Sequence, residues 1–354
     1  MAWTIDDLET PAVLVDLDRV EANLARAQGY ADAHGLALRP HIKTHKIPEF
    51  ARRQMELGAV GITCQKLGEA EVMADAGLDD ILLTFNLLGA AKLKRLTALA
   101  RRVRMSVVVD SDVTAQGLSE AMSQAGLDLD VLVECDVGGK RCGVQNPEEV
   151  VALAKFIDRA PGLRFCGLMT YPPKGQTEVT QVWMADALKA LGVAGMTAER
   201  VSTGGTPDLY RAHHVTAATE HRPGTYIYSD RYQAGNGVGT LDDCAIRILA
   251  TVVSRPNEAR AILDAGSKTL SSDTLGFPDF GHIVEYPQIS IEKFSEEHGH
   301  VDCSGSNARP SIGERVVVIP NHACAVTNLH DVVYGVRGDR VERVLRVEGR
   351  GKVQ

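Results

Sequence analysis

The sequence predicts an α/β protein, a (β/α)8 TIM-like barrel followed by a C-terminal antiparallel β domain. From about residue 37 to 230, short apolar runs alternate with longer segments of helical period, the sequence form of repeated βα units around a parallel sheet. Eight such runs match the strand number of a closed barrel. After Asn236-Gly237-Val238-Gly239 the pattern changes to Val- and Ile-rich runs that alternate with polar residues between turn signals.

The barrel strands are expected at 37–43, 59–65, 80–85, 105–110, 131–136, 165–171, 200–203 and 225–229. Amphipathic stretches at 69–76, 90–103, 112–125 and 148–159 read as the intervening helices, the last opened by Asn146 as cap and Pro147 in the first turn. In the second domain, strands are expected at 245–253, 261–264, 315–319, 332–336 and 343–347, with Arg337-Gly338-Asp339 as a hairpin turn. The domains are therefore drawn as 17–235 and 236–354, with 1–16 pairing onto the second through the apolar run 12–17.

Composition narrows the function. The chain has 354 residues, of which 44% are hydrophobic and 24% charged, with a mean hydropathy of -0.08, enough for a sizeable packed core. A net charge of -8 without a long Lys/Arg block argues against nucleic-acid or anionic-membrane partners and leaves small molecules as the default substrates. No apolar run reaches membrane-spanning length. The seven cysteines stand singly, a pattern of reduced thiols, and no basic-then-apolar leader opens the chain, so a cytoplasmic location is expected.

The most informative segment is His41-Ile42-Lys43-Thr44-His45-Lys46, which places two lysines, two histidines and a hydroxyl where a buried strand should end. Desolvation and neighbouring cations would both lower the pKa of the Lys43 ammonium, and a neutral amine can form a Schiff base. The same residues could equally form a solvated strand end or an anion-binding patch. The other runs also end in polar groups: Gln65, Asn86, Asp110, Asp136 with Arg141, Tyr171, and Thr203-Gly204-Gly205-Thr206. Such positions converge on the C-terminal face of a barrel, and a Gly-Gly turn after the seventh strand suits a phosphate group.

Five motifs in order, 39–46, Cys64-Gln65-Lys66, 133–144, Ser202-Thr203-Gly204-Gly205-Thr206 and Pro320-Asn321-His322-Ala323-Cys324, resemble the D-threonine aldolase and D-serine dehydratase family. That family belongs to the alanine-racemase-like, fold-type III class of pyridoxal-phosphate enzymes. The resemblance spans essentially the whole chain and implies a homodimer that binds pyridoxal 5'-phosphate and acts on small amino-acid substrates. It implies that Lys43 is the Schiff-base lysine, with His41 and His45 as candidate proton-handling neighbours. Thr203, Gly204, Gly205 and Tyr226 would hold the phosphate, Gln65 and Tyr171 would line the cofactor, and Arg141 would face the pyridine nitrogen. A permanent cation there cannot protonate the ring, which weakens it as an electron sink and calls for another group to assist bond cleavage.

His322-Ala323-Cys324 supplies that group. On an extended segment, residues two apart point the same way, and imidazole with thiolate suits a borderline-soft divalent ion, though a buried His beside a buried Cys gives the same triplet. The resemblance makes the pair the ligands of a divalent metal (Zn, Mn or Mg). It implies a lyase for 3-hydroxy D-amino acids, of the D-threonine-aldolase type that yields glycine and an aldehyde. The alternative is a D-serine or 3-hydroxyaspartate dehydratase that yields a 2-oxo acid and ammonia. The family's aldolases often carry aspartate where this chain has Cys324, whereas His with Cys resembles its zinc-dependent dehydratases. A racemase needs no metal, and a non-catalytic pyridoxal-phosphate carrier of this fold would lack the second domain. His213-His214 and Lys268 are weaker candidates, since neighbouring side chains diverge and Lys268 is not at a barrel strand end.

Overall fold

The computed structural model describes residues 3–354 and divides into two compact units. A barrel unit comprises 26–43, 48–224 and 352–354, and a β unit comprises the chain up to Ala25 together with 44–47 and 225–351. Met1 and Ala2, part of the 1–16 segment, lie outside the described residues.

The barrel unit holds eight parallel strands: Ala37–Leu38, Ile62–Cys64, Asp80–Leu83, Arg104–Val109, Leu129–Cys135, Leu163–Thr170, Arg200–Thr203 and Glu220–His221. Strands two to eight pair in chain order, and the eighth pairs with the first. A parallel bridge between His41 and Thr63 joins the first strand's continuation to the second. Alternation along the strands divides the core. Leu82, Val108 and Leu132 cluster with Cys166 and Met169, while Ile81, Leu83, Val107, Val109, Val131 and Val133 pack with buried residues of the helices. The helices begin as the sequence suggests: Ser111 Oγ accepts the Thr114 N–H, and Asn146 Oδ1 accepts the Glu149 N–H ahead of Pro147–Arg159.

Two strand expectations need correction. The eighth strand is Glu220–His221, not 225–229, where the chain forms the 3-10 turn Thr225–Ile227. Charged residues do not read as a buried strand, but Arg39 Nε donates to Glu220 Oε2 at 3.0 Å and Ser202 Oγ donates to Oε1, so the carboxylate is buried with its partners. Burial works to raise the Glu220 pKa, yet Arg39 and Arg200 bring it below the usual value. The first strand is also shorter than expected. It ends at Leu38, and Lys43 sits in the separate 3-10 turn Ile42–Thr44.

In the β unit, Ile246–Asn257 pairs antiparallel with Arg260–Leu263, Arg315–Ile319 and Ala12–Asp16. Val332–Arg337 and Arg340–Arg346 form a hairpin across Gly338 and Asp339. The sheet is not purely antiparallel, because Ala12–Asp16 runs parallel to Val332–Arg337. The short strands His282–Ile283, Ser290–Phe294 and Gly299–Asp302 complete it.

Candidate active site

The barrel unit gathers its functional side chains through a chain of short contacts. His41 is buried, and its Nε2 lies 3.1 Å from Gln65 Oε1. The Gln65 amide donates from Nε2 to the Thr84 carbonyl at 2.8 Å, which fixes Oε1 toward the histidine. His41 therefore carries its proton on Nε2 and turns Nδ1 toward the Lys43 N–H, 3.4 Å away. Burial, then the charges of Lys43 and Arg222, hold the His41 pKa well below 6.5, so the ring is neutral.

Lys43 Nζ and the Arg141 guanidinium lie 5.9 and 4.9 Å from the centre of the Tyr171 ring. Arg141 is half exposed, with Glu134 3.7 Å away. Its loop is held by carboxylates: Asp136 accepts the N–H groups of Gly138 and Lys140, and Asp110 accepts that of Gly143. The polar strand ends Asp110 and Asp136 thus shape the loop that carries Arg141.

Tyr171 leads to the Gly-Gly turn. A Cβ on Gly205 would lie 3.3 Å from the tyrosine ring, and a Cβ on Gly204 would meet the Arg222 backbone nitrogen at 2.7 Å, so this backbone can follow its path only without side chains. His221, buried in the eighth strand, braces the turn, with Nε2 at 3.0 Å from the Gly205 carbonyl and Nδ1 at 3.3 Å from Thr203 Oγ1. Among the described residues no acceptor lies on the N–H groups of Gly204 and Gly205. Uncommitted, closely approachable donors, a nearby primary amine and an aromatic wall together match a phosphorylated aldehyde cofactor such as pyridoxal phosphate.

The β unit holds the remaining candidates. His45 is buried, and its Nδ1 accepts the Ile47 N–H at 3.0 Å. Tyr226 is buried in the turn Thr225–Ile227. His322 and Cys324 are not on an extended segment. His322 caps the helix Ala323–Leu329, and Cys324 lies in its first turn. Their side chains nevertheless touch. Burial lowers the His322 pKa, but Cys324 and Asp273 outweigh it and hold the value at about 9. His322 Nδ1 lies 2.7 Å from Asp273 Oδ2, which leaves Nε2 as the nitrogen that would face a metal. Thr44 Oγ1 and Thr225 Oγ1 lie 3.1 and 3.5 Å from Cys324 Sγ. Among the described residues no three His, Cys, Asp or Glu side chains are grouped to hold a metal. An imidazole and a thiol with no third protein ligand fit a divalent ion with positions open to water and substrate.

The sequence shows the same relationship. Residues 15–232 match the model for the alanine racemase N-terminal domain, and 245–336 match that for the putative serine dehydratase domain. A D-threonine aldolase of Arthrobacter sp. is 36% identical, with 97% of this chain and 93% of that protein covered. The chain belongs to the D-threonine aldolase and D-serine dehydratase family.

Two further relatives place it within that family. The crystal structure of D-threonine aldolase from Filomicrobium marinum superposes with a TM-score of 0.92 at 36% identity, covering 100% of this chain and 99% of that one. The D-threo-3-hydroxyaspartate dehydratase of Delftia sp. HT23 superposes with a TM-score of 0.89 at 29% identity, over 97% and 98%. A cysteine-to-alanine variant of a D-threo-3-hydroxyaspartate dehydratase has been solved in the metal-free form.

The family's motifs leave several site residues unannounced here. His221 and Arg222 lie in a stretch where the sequence predicts no element, although Arg222 is buried, donates to Ser202 Oγ at 2.5 Å and to the Thr170 carbonyl at 2.8 Å, and is pushed down to about 10 by burial. Asp273 stands 49 residues before His322 and carries no motif. Lys268 is exposed and paired with Glu297, and His213 stacks on His34 with ring centres 4.1 Å apart, so neither is a rival site.

Proposed function

We propose that this chain is a pyridoxal-phosphate- and divalent-metal-dependent lyase for 3-hydroxy D-amino acids that cleaves Cα–Cβ to release glycine and an aldehyde. The observation that carries this reading is the interacting His322–Cys324 pair, which would hold a divalent ion, in a chain that also presents Lys43 and a Gly-Gly turn beside the same tyrosine. The 36% identity to D-threonine aldolase supports the cleavage chosen.

Pyridoxal phosphate would supply the electron-withdrawing ring that loosens the bonds at the substrate's α-carbon. A divalent ion on His322 and Cys324 would supply the Lewis acid that lowers the pKa of the 3-hydroxyl. Lys43 would hold the cofactor through its side-chain amine. Thr203, Gly204 and Gly205 would hold the phosphate, and Tyr171 and Gln65 would border the ring. Arg141 would offer the ring nitrogen a fixed positive charge without protonating it. His41, neutral and bonded at both ring nitrogens, would position the Lys43 turn.

A second reading rests on Cys324. A thiolate ligand resembles the dehydratase branch, in which the hydroxyl leaves and the products are a 2-oxo acid and ammonia. Incubation of the purified protein with D-threonine and with D-serine separates the two. Acetaldehyde with glycine supports cleavage, and pyruvate with ammonia supports dehydration. Lys43→Ala should lose the visible absorption of bound pyridoxal phosphate, and persistence of that band would remove Lys43 from its role. Activity untouched by a strong chelator and by His322→Ala would remove the metal.

A further inference from the structure

The contacts around His322 and Cys324 form a built frame that tripeptide chemistry does not require. Asp273 Oδ2 lies 2.7 Å from His322 Nδ1, and the loop that carries it is tied down on both sides. The Asp273 N–H donates to Ser271 Oγ at 3.0 Å. Asn321, the residue before His322, is buried and donates from Nδ2 to the carbonyls of Asp279, at 2.7 Å, and Thr274, at 3.4 Å. Arg231 bonds Asp279 and, at 3.2 Å, Asn321 Oδ1, so the loop 271–281 and the His322 segment share one clamp. On the other side of His322, the buried Asp230 accepts the Ala323 N–H at 2.9 Å. The thiol is framed as well, by the hydroxyls of Thr44 and Thr225, and Thr44 is the residue that follows Lys43.

We propose that Asp273, Thr44 and Thr225 are the positioning residues of the metal pair, with Asp273 holding the His322 proton on Nδ1 so that Nε2 binds the ion, and the two hydroxyls donating to the Cys324 thiolate. The inference rests on the reading that His322 and Cys324 bind a divalent metal. A carboxylate behind a ligating histidine fixes its tautomer and ring orientation and raises its basicity, and loss of such a partner typically weakens metal binding 10- to 100-fold. Hydroxyl donors fix the position of a thiolate sulfur, and each such bond to a charged acceptor contributes roughly tenfold in binding. Asp273 is half exposed, so its replacement removes one contact without opening a core.

The test uses the pyridoxal-phosphate-loaded protein stripped of metal, titrated with Zn²⁺ against a competing chromophoric chelator and separately with Co²⁺, without substrate. Wild type should bind one ion and His322→Ala none, with a thiolate-to-cobalt absorption band lost in Cys324→Ala. If wild type binds no ion, the metal reading itself fails. Given binding, Asp273→Ala should weaken Zn²⁺ roughly 10- to 100-fold, with partial recovery in Asp273→Glu. Thr44→Val and Thr225→Val should each shift the thiolate-to-cobalt band and weaken Zn²⁺ by up to about tenfold. Far-ultraviolet circular dichroism matching wild type would show that these variants fold. Affinity within twofold of wild type in Asp273→Ala, with an unmoved band in both threonine variants, would overturn the inference.

Discussion

The two clusters are assembled in opposite ways. In the barrel unit, His41, Gln65, Arg141, Tyr171 and the 203–205 turn each follow a different strand, and their positions depend on the whole parallel sheet. In the β unit, His322 and Cys324 come from one tripeptide, and side chains from 44, 225, 230, 273 and 321 hold it. Sheet-built geometry fails when the sheet fails. Clamped geometry can fail locally while the fold stands.

Breaking the barrel should therefore cost stability first. Arg39 and Glu220 are both about 95% buried as side chains, and removing one partner leaves the other charge uncompensated. Arg39→Met should lower the unfolding free energy by about 3–5 kcal/mol, read from the midpoint of urea unfolding. Equal stability of this variant would mean that the eighth strand is not held by that pair.

Acid should act next, and in a defined window. Burial pushes His221 down to about 4, below its usual 6.5, so as the pH falls the unfolded chain takes up the proton first. The barrel is then fully stable above pH 6.5 and loses up to about 3 kcal/mol as the pH drops toward 4. Unfolding curves at a series of pH values should show this slope flattened in His221→Gln, and an unchanged slope would remove His221 as its source. At neutral pH, the loss of the bond to Gly205 should show in the same variant as weaker retention of pyridoxal phosphate.

The clamp should respond in the opposite sense. Asn321→Ala removes two hydrogen bonds to the 274–279 loop, for about 1–3 kcal/mol of mostly local loosening. Hydrogen exchange should rise around 271–281 and 321–324 while the urea midpoint moves little, and metal content by elemental analysis should fall. A large midpoint shift with metal retained would reverse the comparison. The smallest effect on stability, read from the urea midpoint, is expected at Tyr171, where Tyr171→Leu removes two partly exposed cation–π contacts of about 0.5–1 kcal/mol each.

Much of this was legible in the chain. Period and turn chemistry located seven of the eight barrel strands and the main β strands, because an apolar run between loops reports burial directly. Lys43, the Gly-Gly turn and the His-x-Cys triplet were visible because amine, glycine and soft ligands mark chemistry by residue type. The eighth strand was hidden, since Glu220 and His221 carry the composition of a loop and are buried only through Arg39, Ser202 and Thr203. The helical start at Ala323 was hidden as well, because its N-cap residue, His322, is not a usual capping side chain and makes no side-chain cap bond.

The sequence by itself determined the fold class and the residue types of both clusters, for these depend on local period and on the chemistry of single side chains. Only the tertiary structure decided the protonation and the supports. The neutral His41 is set by burial beside Lys43 and Arg222, the brace of the Gly-Gly turn by His221, and the partner of His322 by Asp273. Those assignments depend on desolvation and on hydrogen bonds between residues tens to hundreds of positions apart, quantities with no local signature in a chain.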